Sequence, residues 1–455
     1  MLRPLSLQRA ALALVLTASP ALAQGVRIVH ASGQLNFPDI QSAVDAAVDG
    51  DVLLVGAGTY PGFMVDGKGI SIFAAPPGAS VTVQGTIAVS NVHGKNVIVV
   101  GLVAKPVPVS AYAPGPDCLH VFNCSGVIAF QGCQFLASPP ACCLSTPYAA
   151  GCGVVQGSAS VVFAGCQFTG GSAGYWDHAP LPGGIGLRLS SSTIAAYAST
   201  FQGGHGSDSY DTAGPGGAGL RAEGSWAFAS GCSFRGGDGG EGLDPQNAAF
   251  QCGDGGNGLE LDAGSEAHLL DNLYAGGLPG MVCFLFPGSP GLPISSQGLL
   301  NLLPGTARAF GLTTISPDRA PWSLSASGMA GDKIFLNRSF APVFQFEPAF
   351  SGVCTSLLPP FTYAGPTAVL PVSGKATVGV RQGLLPDNLL ARVSFLQGYV
   401  LEPGGATVLG NPMHTLSLNW NSLPDCNGNG IQDYAEVIAG VTPDLDHDLI
   451  PDDCP

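Results

Sequence analysis

Gly132-Cys133-Gln134-Phe135 returns as Gly165-Cys166-Gln167-Phe168, then as Ser199-Thr200-Phe201 and Gly231-Cys232-Ser233-Phe234. The four phenylalanines are each 33 residues apart, and Tyr274 follows after 40. Val154, Leu187, Leu220 and Leu259 accompany them at intervals of 33, 33 and 39. A fixed period of short apolar segments, too short for a helix in every repeat, predicts the coils of a β-solenoid stacked about 4.8 Å apart. Stacking turns equivalent positions into neighbours. Phe135, Phe168, Phe201 and Phe234 are then an internal aromatic column, and Arg188, Arg221 and Glu260 a ladder on the surface. Cys133 and Cys166 come side by side, at a spacing that suits either a disulfide or two small buried hydrophobes. Ile128, Val161 and Ile194 keep one register, whereas Trp226 and Phe228 are displaced by one residue, which predicts a bulge.

Composition supports an all-β chain rich in turns. Glycine (66) and proline (37) are abundant, and only 10% of the 455 residues are charged while 46% are hydrophobic. So apolar a chain can bury surface, which excludes disorder over its whole length. The scarcity of charged helix-forming residues excludes a helical bundle. A net charge of −15 provides no basic field, so no nucleic acid partner is expected. Eight of the acids lie between Asp425 and Pro455, a stretch without Lys or Arg.

Arg3 and Arg9 precede the short apolar run Ala10 to Leu16, and Ala21-Leu22-Ala23 precedes Gln24. This is the pattern of a secretory signal peptide over residues 1–23, with a run too short to span a bilayer. No other segment is long and apolar enough to be a membrane span. The chain is therefore expected to be extracellular or at the cell surface, where its 13 cysteines can oxidise. An odd count leaves at least one thiol unpaired within the chain. Asn123-Cys124-Ser125 and Asn337-Arg338-Ser339 match the N-glycosylation pattern.

From Phe37 to Ala47, the residues Ile40, Ala43, Val44 and Ala47 recur at helical spacing, predicting a short amphipathic helix. Val52 to Val55, Gly58-Thr59-Tyr60 and Ile70 to Phe73 then read as strands. Ile40-Gln41, Ala43, Asp45-Ala46, Gly50-Asp51, Val52, Val55 and Gly58-Thr59-Tyr60 resemble the opening of the right-handed parallel β-helix proteins of the pectate-lyase and pectin-methylesterase type. The resemblance covers about forty residues and implies the fold; activity has to be read from the site. The expected fold is all-β, with a right-handed parallel β-helix over 24–290 that carries an N-terminal capping helix. A β-sandwich over 291–423 is expected next, from alternating segments such as Ala376 to Val380 and Thr415 to Trp420. Its pattern resembles the accessory β-sandwich modules of large bacterial secreted proteins.

The tail, 424–455, contains Asp425-Cys426-Asn427-Gly428-Asn429-Gly430-Ile431-Gln432-Asp433-Tyr434-Ala435-Glu436. Oxygen ligands at alternate positions with glycine at the turn fit a Ca²⁺ loop. Asp425, Asn427, Asn429, Asp433 and Glu436 supply side chains, and Ile431 its carbonyl. A weaker copy, Asp444, Asp446, Asp448 and Asp452, has Leu449 where glycine belongs. The pair resembles thrombospondin type 3 and dockerin repeats, which implies a structural Ca²⁺ and a Cys426–Cys454 bridge.

Polar residues of the segments that follow each Phe motif should cluster on one side of the solenoid: Asp177, His178, His205, Asp208, Asp238, Glu241 and Asp254. They are either ordinary polar tips of glycine-rich turns or groups that act on a sugar chain. The lyases among the resembling families abstract a proton with a basic residue, which makes Arg188 and Arg221 the candidates. The resembling methylesterases' arrangement of two carboxylates beside glutamine and arginine does not occur. The leading expectation is a non-catalytic surface or matrix protein whose partner is polysaccharide or another surface protein. The alternative is a polysaccharide lyase or glycoside hydrolase acting on the loop side.

Overall fold

Each coil contributes short apolar strands separated by glycine, asparagine or serine at the corners, and the strands pair with their equivalents one coil on. The computed structural model describes residues 25–31, 37–107, 117–137, 151–174, 180–210, 212–242, 251–281, 286–356, 366–386, 388–419, 425–428, 433–438, 441–443, 451–452 and 454. Residues 1–23, expected to be a signal peptide, lie outside them. Ten parallel strands from Val26–Val29 to Leu299–Leu302 form the first face of the solenoid. The second face runs from Leu102–Ala104 through Gln134–Leu136, Gln167–Thr169, Thr200–Gln202 and Ser233–Arg235 to Leu273–Ala275. The third runs from Leu119–Phe122 through Gly153–Gln156, Leu187–Ser190, Leu220–Glu223 and Leu259–Leu261 to Ile294–Ser296. The long strand Val81–Ser90 pairs with both of the last two faces. The chain is thus a parallel β-helix, and its parallel pairing continues past residue 290 through Ile294–Ser296 and Leu299–Leu302.

The aromatic column forms as the period predicts. Phe135, Phe168, Phe201, Phe234 and Tyr274 stack with centroid separations of 4.7, 5.2, 5.2 and 5.5 Å. Phe130 and Phe163 stack beside them and meet Phe135 and Phe168 edge-on. Such pairs contribute about 0.5–1.5 kcal/mol each beyond area burial. Cys133 and Cys166 are buried free thiols, each within reach of a backbone carbonyl, so they pack as small hydrophobes. At the top of the stack the helix Ile40–Ala46 buries Ile40, Ala43 and Val44, and the Asp39 carboxylate caps it by accepting the Ser42 N–H at 2.8 Å.

Two register expectations are corrected. Leu187 pairs with Gly153 and Arg188 with Val154, because the space beside Gly153 is filled by the Phe168 ring and Leu187. Trp226 and Phe228 sit on a strand without a bulge. Ala227 takes the inward position opposite Ile194, and Trp226 and Phe228 pair with Thr193 and Ala195 on the outer side.

That outer side is covered. After Ala309 the chain forms a three-stranded antiparallel sheet (Ala309–Leu312, Trp322–Ser327, Lys375–Val380) and a five-stranded sheet built on Ala391–Leu401 and Thr407–Leu418. Trp322, Leu324, Ile334, Leu396, Val400 and Met413 fill the space between them as a sandwich core. The sandwich lies along the first face of the solenoid, which explains why strands such as Val52–Val55 and Val161–Ala164 are buried at every residue. The Tyr197 hydroxyl donates to the Val353 carbonyl at 2.5 Å and accepts its N–H at 3.0 Å. Gln131 receives the His414 N–H at 2.5 Å. Asn337, one of the two glycosylation matches, is buried and donates to Ser356 Oγ at 3.1 Å, so it is inaccessible to a glycan, whereas Asn123 is exposed.

Candidate functional site

Between the second and third faces four successive coils detour outward and return. The arms are 170–174 with 180–186, 203–210 with 212–219, 236–242 with 251–258, and 276–281 with 286–293. Sequence reading treats these as turns. Their hydrogen bonds instead repeat every three residues. Gly203, Gly206 and Ser209 donate to Arg235, Asp238 and Glu241 of the next coil, while Gly204 and Ser207 donate to Gly184 and Leu181 of the preceding return arm. In the return arm Ala213, Gly216 and Gly219 donate to Gln251, Asp254 and Asn257, and Gly214 and Gly217 to Ser207 and Gly204. Three residues per turn is the period of an extended polyproline II chain, and glycine arms of this kind bond to neighbours in several directions at once. The arms form a backbone lattice with almost no room for side chains. A Cβ on Gly219 would lie 2.6, 2.7 and 2.8 Å from the carbonyl oxygens of Gly258, Phe201 and Arg235.

The third residue of each turn faces out, and here the predicted acids appear. Asp208 accepts the N–H of Glu241 at 2.8 Å, and Glu241 in turn accepts that of Met281 at 2.7 Å. Asp238 accepts from Leu278 at 2.8 Å and Asp254 from Ser289 at 2.6 Å. Each carboxylate therefore satisfies an amide one coil further on. His205 turns its Nδ1 to the Gly206 carbonyl at 2.6 Å and lines a groove of about 230 Å³ with Arg235 and Asp238. Asp177 and His178 lie outside the described residues.

Arg188 and Arg221 occupy a different place. Between the return arms and the third face runs a cleft of about 720 Å³, lined by Asp117, Arg188, Arg221, Asp254, Asn257 and Glu260 over a floor and wall of glycine and proline backbone. The strand register stacks His120, Val154, Arg188, Arg221, Glu260 and Ser295 along this face, so the predicted ladder is present. Both cations are held. Arg188 Nη2 is 2.8 Å from Glu223 Oε2, and Arg221 Nε bonds Glu260 Oε2, whose other oxygen receives the Asn257 amide at 2.8 Å. Glu223 escaped the sequence reading, although it lies two residues after Arg221 and so on the same face of its strand. Asp117 and His120 were missed as well. Their side chains are 2.8 Å apart, and the Asp117 hydrogen bond raises the His120 pKa above its usual value. No spacing signal links them to the cleft; only the coil register does.

In the tail the structure brings Asp425, Asn427, Asp433 and Glu436 into one short segment. Asp433 is fully buried and accepts the Cys426 N–H at 3.1 Å, while Glu436, also buried, accepts the Asn427 amide at 3.0 Å. Cys426 and Cys454 form a disulfide with their Cα atoms 5.6 Å apart. Carboxylate and amide oxygens gathered within one short loop are an oxygen donor set whose chemistry fits Ca²⁺. Asn429, Ile431, Asp444, Asp446 and Asp448 lie outside the described residues, and Asp452 is described only in the turn that leads to Cys454. The Asp433–Ile438 helix docks Val437 into the apolar layer between solenoid and sandwich.

No protein-family model matches the chain, and no curated protein matches it. Among solved structures, the crystal structure of full-length tailspike protein 2 from Escherichia coli O157:H7 bacteriophage CAB120 is similar at 8% identity and a TM-score of 0.25. The match covers 88% of this chain, which spans 64% of the tailspike chain. The assignment of a parallel β-helix rests on the strand register above.

Proposed function

We propose that this is a secreted, non-catalytic β-helix protein of the cell surface or matrix that binds polysaccharide in the cleft beside the glycine lattice, with a structural Ca²⁺ in its tail. The observation that carries this reading is the pairing of both cleft arginines with carboxylates. Such pairs present planar arrays of donors and acceptors to sugar hydroxyls, with each guanidinium engaged by a carboxylate. Three carboxylates against two guanidinium groups line the cleft of a chain whose net charge is −15, so a neutral polysaccharide suits it better than a uronate. In the tail Asp425, Asn427, Asp433 and Glu436 would hold the ion through their side-chain oxygens.

The test is retention of the mature protein on a panel of neutral and acidic polysaccharides, with assay of the same mixtures for reducing or unsaturated ends. Retention on a neutral polymer that is lost in Arg188→Ala and Arg221→Ala, with no product formed, is expected. A hydrolase or lyase is the rival, and His120, oriented by Asp117 at the edge of the cleft, is the group it would use. Product formation abolished by His120→Ala or Arg221→Ala would overturn the binding reading.

A further inference from the structure

The two ends of the solenoid differ. The first coils are closed by the helix Ile40–Ala46, whose apolar face is buried against them. Among the described residues the last coil has no such cover. Its strands Leu273–Ala275, Ile294–Ser296 and Leu299–Leu302 are each the terminal strand of their run. On this coil the inward-facing Leu302 is 72% exposed, and Leu273, Leu278, Met281, Leu292 and Leu299, at outward positions, form an apolar rim around it, each more than half exposed. Leu302 pairs with Leu269, a core position one coil back, so it is a core residue with nothing beneath it. The sandwich lies along the side of the stack and leaves these residues open.

We propose that this open end binds a second copy of the chain, the two solenoids meeting end to end about a twofold axis perpendicular to their length. Two observations select a second copy. First, from Asn272 to Ala307 the sequence contains no Asp, Glu, Lys, Arg or His. Chains of net charge −15 repel one another over most of their surface, and this end is where two copies can approach without opposing like charges. Second, the last coil ends three runs of parallel strands in their terminal edges, which pair most completely with a copy of themselves, in an interface that for specific complexes buries ~800 Å² per partner. A twofold axis sets Leu299–Leu302 antiparallel to its own copy, so that unpaired edge N–H and C=O groups find partners. It also closes the assembly, because a twofold contact uses the same end of both copies.

Sedimentation of the full mature chain, with small-angle scattering on the same samples, tests this. Two copies are expected at ~10 µM, since interfaces of this size hold at micromolar concentrations or below. Ten strands at about 4.8 Å give a stack of roughly 45 Å, and the solenoid axis of the pair should be roughly twice that. Leu273→Glu with Leu299→Glu alters two exposed positions and brings four carboxylates into the apolar contact, which should weaken association at least ~100-fold. Met281→Glu, on an arm outside the sheets, should do the same if the double variant fails to fold. Single copies of the unaltered chain at ~100 µM, pairs that persist in both variants, a side-by-side pair of unchanged length, or association only with a different protein would each overturn the proposal.

Discussion

The glycine lattice makes a sharp prediction for Gly219→Ala. The new methyl carbon would enter between the carbonyl oxygens of Gly258, Phe201 and Arg235 at 2.6, 2.7 and 2.8 Å, about half an ångström inside ordinary contact with each. None of these atoms can rotate away. Gly219 also donates to Asn257 at 3.0 Å and accepts from Leu187 at 3.0 Å, so displacing it strains two further coils. Overpacking of a closed site costs typically 1–3 kcal/mol, and rigid backbone on three sides puts this case near ~3 kcal/mol. At about 2–4 °C per kcal/mol for a unit of this size, the melting temperature should fall by roughly 6–12 °C. Gly404→Ala is the control, since nothing lies within 4 Å of its Cβ position, and it should leave the melt unchanged or slightly raised. Thermal unfolding followed by circular dichroism supplies the comparison, and hydrogen exchange at 216–219 and 253–258 reports the lattice directly. Equal melting of the two variants, with protection retained, would show that the arms are loose turns and that the three-residue register is wrong.

Phe201→Ala removes a ring stacked 5.2 Å from both Phe168 and Phe234 and should destabilise the solenoid by about 3–5 kcal/mol, measured by chemical denaturation. His414 is buried, and burial lowers its pKa to about 4 from an ordinary 6.5. The unfolded chain therefore binds the extra proton first. Stability is full above about pH 6.5 and declines as pH falls toward 4, by roughly 3 kcal/mol in all, a slope that His414→Gln should flatten in melts taken across that range. Chelation should lower the melting of the tail's attachment. At Ca²⁺ about 100 times Kd the ion contributes ~2.7 kcal/mol, and Glu436→Gln should abolish the calorimetric binding signal. An unchanged melt with no heat of binding would remove Ca²⁺ from the tail.

Much of the cleft was legible because a fixed period converts sequence distance into spatial contact. Arg188, Arg221 and Glu260 fall into line for the same reason as the phenylalanines. The acids of the arms were visible but their role was not. Asp208 and Asp254 look like any exposed carboxylates until the amides of Glu241 and Ser289 are seen one coil on. Glu223 and the Asp117–His120 pair became part of the site only through strand pairing, since residues on different strands meet according to register and not according to motif.

The sequence by itself determined the stacked parallel coil, its aromatic column, the capping helix and the oxygen-rich tail, because in each the side chains repeat at the period of the structure that holds them. It could not determine what the glycines do. Glycine has no side chain to mark an inner or outer face, so a three-residue lattice and a loose turn read alike, and only the network of backbone hydrogen bonds separates them. Tertiary structure also decided where Trp226 and Phe228 point. Both faces of their strand are apolar, and it is the antiparallel pair Pro342–Glu347 and Gly352–Ser356, packed against the outer one through Phe344, Phe346 and Val353, that gives them their place.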